Sequence, residues 1–177
     1  MMFRTGAALI VFFLLFFLET SLIGFLPEPL RFFPLLLACS VYAIQHVGTP
    51  VGFWWLVGEG FAFDFWKIGT VPYETLIGFC TGFVGIIVAR HLFSNRSLYG
   101  VLGCATICYG VQQALHACFL WILSWRNDLF VSWSAYISFT IWQGILLVIL
   151  LSICFFFARR IRFFFRHLSL VSTREDF

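Results

Sequence analysis

The chain has 177 residues, 62% of them hydrophobic and 11% charged, with 25 Phe, 7 Trp and a formal charge of +3 from 11 basic and 8 acidic side chains. Its mean hydropathy is +0.98, whereas soluble domains run about 45–50% apolar and about 25% charged and leave too much surface wet to hide this content at such a size. The composition excludes a cytosolic enzyme, a secreted disulfide scaffold, a disordered regulator and a nucleic-acid binder, whose basic side chains would gather on one face. What remains is an all-α, polytopic transmembrane helix bundle forming a single integral membrane domain over 1–177.

A hydrocarbon core of about 30 Å takes about 20 helical residues. Stretches of that kind run over 9–26, 32–47, 51–65, 71–89, 98–123 and 130–158, which predicts about six spans. A β-barrel would alternate apolar and polar residues, but Leu9–Leu18 is apolar on every side. The first span reads as a retained helix rather than a cleaved signal, with Pro27-Glu28-Pro29 as the loop after it. The second and third stretches are parted only by Gly48-Thr49-Pro50, which leaves a broken or re-entrant pair open. With both termini cytoplasmic, the inner side holds Arg4, Arg90, Arg96, Arg159, Arg160, Arg162, Arg166 and Arg174, and the outer side Arg31, Lys67 and Arg126. That bias follows the positive-inside rule. Trp66, Trp121, Trp125 and Trp133 fall near expected interfaces, as aromatic belts do. The tail 159–177 mixes arginine with phenylalanine, as a topology anchor with snorkelling arginines or a contact to anionic lipid requires.

Intramembrane charges are costly and face inward by default. Glu19 sits near the outer end of the first span. Glu59 and Asp64 lie on the third, five positions apart, so they point about 140° from one another and do not form a paired-carboxylate site. Glu59 is the deeper and either packs against another helix or lines a cavity. Asp64 is either a helix-end carboxylate facing water or Lys67, or an interior contact that sets helix packing. Glu74 follows Pro72 in the first turn of the fourth span, where a carboxylate complements the helix dipole. Gly78-x-x-x-Gly82 with Gly85 lets this helix approach a neighbour closely, and Gly52, Gly58 and Gly60 lighten the third span in the same way. Tight packing of spans three and four is the expectation.

The fifth span carries Cys104, Cys108, Gln112 and His116 on one stripe. The first and last lie about 18 Å apart along the axis, too far for one ion, so the stripe reads as a packing face and no metal is expected. Gln112, Gln113 and Gln143 suit interhelical hydrogen bonding. No nucleophile–base set, P-loop, HExxH or GxGxxG motif is present. Neither enzymatic activity nor a cofactor is expected.

From Val47 to about Val111 one segment is distinctive: Gly60-Phe61-Ala62-Phe63-Asp64 closes a glycine-rich span, and Phe65 to Pro72 leads into Tyr73-Glu74-Thr75-Leu76. A long apolar helix follows, and then the short basic loop Arg90–Ser97. This pattern resembles the MreD family of rod-shape-determining membrane proteins. The resemblance implies a non-enzymatic scaffold in the bacterial inner membrane, surrounded by membrane lipids. It would bind MreC and help couple MreB filaments to peptidoglycan synthesis and cell shape. In size and helix arrangement such chains are also similar to the substrate-binding membrane subunits of energy-coupling-factor vitamin transporters. That similarity implies a small-molecule cavity near one bilayer face, with Glu59, Trp54, Trp55, Gln112 and His116 as candidates and Gly78, Gly82 and Gly85 as a docking surface. A cavity enclosing Glu59 favours ligand binding, and a solid core with an apolar outer groove favours the scaffold.

Overall fold

The computed structural model describes residues 2–28, 30–46, 48–66, 72–93, 97–127 and 132–172, with 2–5, 22, 24, 126, 127 and 158–172 described by backbone alone. The described residues form six α-helices: α1 (Met2–Phe17), α2 (Leu35–His46), α3 (Thr49–Trp66), α4 (Glu74–His91), α5 (Leu98–Asn127) and α6 (Trp133–Ser172). Among them there is no strand. Three helical segments, Glu74–His91, Leu98–Trp125 and Trp133–Phe157, are long and apolar enough to cross a membrane.

The helices depart from the expected spans where local chemistry intervenes. The first loses its α geometry at Leu18, passing into a π-turn over Leu18–Leu22 and a 3-10 turn over Ile23–Phe25. There the Thr20 hydroxyl donates back to the carbonyls of Phe16 at 2.9 Å and Phe17 at 3.4 Å, a back-bond that competes with the helical ladder. Instead of starting at Phe32, α2 starts after Pro34, whose carbonyl accepts the Ala38 N–H at 3.1 Å; proline is favoured where a helix begins. With 12 residues α2 is about 18 Å long, short of the hydrocarbon thickness. At the other end of the chain, α6 does not stop at Ala158 but runs to Ser172.

Glycines let α3 pack closely on α1, α2 and α4. A Cβ on Gly52 would meet the Ser40 carbonyl and Ile44 of α2, one on Gly58 the Phe12 ring of α1 at 3.0 Å, and one on Gly60 the Glu74 carbonyl of α4. From the α4 side, Gly78 abuts the Leu56 carbonyl and Gly82 the Phe53 ring. This is the small-residue contact by which helices in lipid gain dispersion energy, since lipid leaves no hydrophobic drive between them. The pairs Gly60–Glu74 and Gly78–Leu56 run in opposite directions along the two helices, so α3 and α4 are antiparallel. α4 meets α5 at Gly85 and Cys108, and α5 meets α6 at Tyr109 and Gly144.

The core is one cluster of Val41 and Ile44 from α2, Leu56 from α3, Val88 from α4, Cys104 and Cys108 from α5, and Leu147 and Leu151 from α6. It fills the half of the bundle near the α2–α3 turn. All six cysteines are free thiols. Phe13 of α1, Phe79 and Phe83 of α4, and Ile141, Ile145 and Ile149 of α6 are exposed, large apolar side chains of the kind that a lipid-facing surface presents.

Candidate functional site: a carboxylate-lined cavity

The half of the bundle opposite the core is not filled. A cavity of about 300 Å³ lies there, walled by Glu19, by α3 (Leu56, Glu59, Gly60, Phe63), by residues Tyr73 to Thr81, by α5 (Gln112, Gln113, His116, Leu120) and by α6 (Tyr136, Phe139, Gln143). No α2 residue lines it. α2 packs into the core half, and its first turn meets the cavity wall only through Glu19, which accepts the Leu36 N–H.

Glu59 lies about 10 Å in from the Trp66 end of α3, is only 8% exposed and borders the cavity. Of the two expectations for it, the structure places it on the cavity wall. Three carboxylates share this chamber, and two of them meet a local counterpart. Glu19 Oε2 accepts the Leu36 backbone N–H at 2.8 Å, at the N-terminus of α2, where unpaired N–H groups and the helix dipole favour an anion. Glu74 Oε2 lies 3.5 Å from His116 Nε2. Glu59 has no hydrogen bond or ion pair among the described residues.

The role expected of Glu74 belongs to another residue. Asp64 is the carboxylate that caps α4: its Oδ1 accepts the Glu74 N–H at 3.0 Å, and its Oδ2 accepts the Thr75 N–H at 2.7 Å and the Thr75 hydroxyl. Glu74 is thereby free of the capping task and turns its side chain toward the cavity. Asp64 forms the interior contact of the two alternatives weighed for it, and Lys67 lies outside the described residues. Exposed Pro72 stands just before Tyr73, the N-cap position of α4.

The stripe on α5 divides at mid-length. Cys104 and Cys108 belong to the core, while Gln112 and His116, one and two turns further on, line the cavity. Beside them runs a polar seam between α5 and α6. Gln113 Nε2 donates to Gln143 Oε1 at 2.8 Å, the Tyr136 hydroxyl donates to Gln113 Oε1 at 2.9 Å, and the Tyr109 hydroxyl donates to the Thr140 carbonyl at 2.6 Å. Two polar atoms on the cavity-lining residues remain unpaired although buried: Thr81 Oγ1 and Gln112 Oε1. Among the described residues no group of three or more His, Cys, Asp or Glu side chains is placed to hold a metal ion.

Several expected site residues fall elsewhere. Trp54 points outward at 65% exposure, and Trp55 donates its indole N–H to the Ala8 carbonyl at 3.2 Å; neither lines the cavity. The Gly78, Gly82 and Gly85 stripe is buried inside the bundle against Leu56, Phe53 and Ile44, so it offers no outer surface to a partner. Arg90 is exposed and reaches the Thr49 hydroxyl at 3.4 Å. Arg96 lies outside the described residues, as do the side chains of Arg159, Arg160, Arg162 and Arg166 on the last turns of α6. Thr81, Glu19 and the aromatic wall of Tyr73, Tyr136 and Phe139 were not singled out as cavity residues by the sequence. The available signal was depth: in an antiparallel bundle, Glu59, Gln112 and Gln143 come to one level, and so must whatever else lies there. Comparison with known proteins yields no match: no protein-family model, curated protein or solved structure is significantly similar to this chain.

Proposed function

We propose that this chain is a non-enzymatic, multi-pass membrane protein that works by binding a small molecule in the cavity around Glu59, in the manner of a transporter's substrate-binding subunit. The observation that carries this reading is the cavity itself. Its roughly 300 Å³ falls at the lower end of ligand-pocket sizes, about 300–1,000 Å³, and it joins apolar walls to a few convergent polar groups. An unpaired carboxylate inside a membrane marks a functional site by default. In the six-span arrangement with cytoplasmic termini, in a bacterial inner membrane, the cavity occupies the outer half of the bundle. The chain would then take its ligand from the outside.

The MreD-like scaffold is the second reading, and one observation favours it. The Gly60 to Asp64 segment that carries the resemblance works as a unit, with Gly60 admitting the Glu74 backbone and Asp64 capping α4. On that reading the partners are MreC and the cell-elongation machinery. Affinity purification of the full chain from native membranes, followed by native mass spectrometry, separates the two. A ligand-binding subunit retains a low-mass adduct that Glu59→Gln loses. A scaffold retains stoichiometric protein partners, no adduct, and no dependence on Glu59.

A further inference from the structure

The chemistry of the cavity wall selects among ligands. Of its three carboxylates, Glu19 is matched by the N-terminus of α2 and Glu74 by His116, while Glu59 has no partner among the described residues. Thr81, at 1% exposure, and Gln112 add unpaired buried oxygens to the same wall. No Lys or Arg stands among the described lining residues, whose only basic group is His116. An anionic ligand would meet repulsion from three carboxylates. A neutral one would bring no counter-charge, so the buried Glu59 would keep its proton and its capacity for a charge-assisted hydrogen bond would go unused. A cation rich in N–H groups would answer every open acceptor at once, because charge-assisted hydrogen bonds to a carboxylate are the strong ones. Phe63, Tyr73, Tyr136 and Phe139 supply aromatic walls against which a planar or cationic group packs favourably. A bare metal ion is a poor fit, since the described residues gather no metal-holding group.

We infer that the cavity binds a small organic cation with several N–H donors, an amidinium, guanidinium or primary ammonium, whose charge pairs with Glu59 and whose remaining donors reach Thr81 and Gln112. The inference rests on the reading of the cavity as a ligand site and narrows it to a chemical class.

The test uses the full chain in lipid nanodiscs and three matched probes: benzamidine, benzamide and benzoate, which share a ring and differ in charge. Tetramethylammonium is the fourth, a cation without N–H groups. Benzamidine is expected to raise the melting midpoint and to bind by titration calorimetry, with the other three inactive. Glu59→Gln is expected to abolish the benzamidine response while leaving the unliganded midpoint at or above that of the wild type, since the amide keeps the shape of the side chain and cannot become a buried charge. Thr81→Val is expected to weaken binding by about tenfold, the loss of roughly one hydrogen bond. Binding of benzamide or benzoate without benzamidine overturns the cation assignment and leaves the ligand-site reading standing. Equal binding of tetramethylammonium, or benzamidine binding unchanged in Glu59→Gln, also overturns the assignment. Silence from all four probes overturns both.

Discussion

Asp64 at the end of α3 accepts the backbone N–H of Thr75 in α4 at 2.7 Å. Together with the Glu74 N–H at 3.0 Å and the Thr75 hydroxyl, this makes one side chain the tie between the two most closely packed helices. It satisfies donors that no intrahelical carbonyl can reach, and it places a negative charge at the positive end of the α4 dipole.

Asp64→Ala is therefore expected to destabilise the bundle by about 2 kcal/mol, at the upper end of helix-cap losses. Asp64→Asn, which keeps an acceptor, is expected to lose less than half of that. Unfolding in mild detergent measures both, and an unchanged midpoint for Asp64→Ala would contradict the capping role.

Gly60→Ala and Gly78→Ala would each place a methyl group against a backbone carbonyl of the facing helix. Backbone cannot yield as a flexible side chain does, so each substitution is expected to cost about 1–3 kcal/mol. Gly110 has nothing within 4 Å of an added Cβ, and Gly110→Ala is expected to be neutral or to stabilise by up to about 1 kcal/mol through helix propensity. The contrast within one set of denaturation curves is the measurement.

Tyr136→Phe removes a hydroxyl that donates toward both the Gln113 carbonyl at 2.8 Å and Gln113 Oε1 at 2.9 Å. The expected loss is about 1 kcal/mol. A double-mutant cycle with Gln143→Leu should show coupling, because Gln113 bridges the two. Additive losses would mean that the seam does not act as a network.

Glu19→Ala removes the acceptor of the Leu36 N–H and is expected to destabilise by about 1 kcal/mol, a typical cap loss. Glu19→Gln keeps an acceptor and gives up the charge–dipole attraction, so its cost should be smaller, about 0.5 kcal/mol. Equal costs would assign the whole effect to charge.

The role of Asp64 was within reach of the sequence, since an acid at a helix end points to a terminus-directed partner; which terminus it meets was not. Glu74 misleads for the same reason. Its position after Pro72 satisfies the rule for a dipole-complementing residue, but Asp64 already occupies the N–H groups, and the Glu74 side chain goes to His116 instead. Trp54 and Trp55 stand five and four residues before Glu59 on α3, and helical rotation turns Trp54 to the outside and gives the Trp55 indole N–H to α1.

The helical, lipid-compatible character of the chain and its glycine-studded third and fourth helices follow from composition and local pattern, because burial in hydrocarbon demands long runs of apolar residues whatever the neighbours are. The cavity does not follow from them. Its wall is assembled from four helices and Glu19, and the pairing of Glu19 with α2 and of Glu74 with His116, which leaves Glu59 alone, depends on distances between helices far apart in the chain. Such distances are set by packing across the whole bundle, which no single segment encodes.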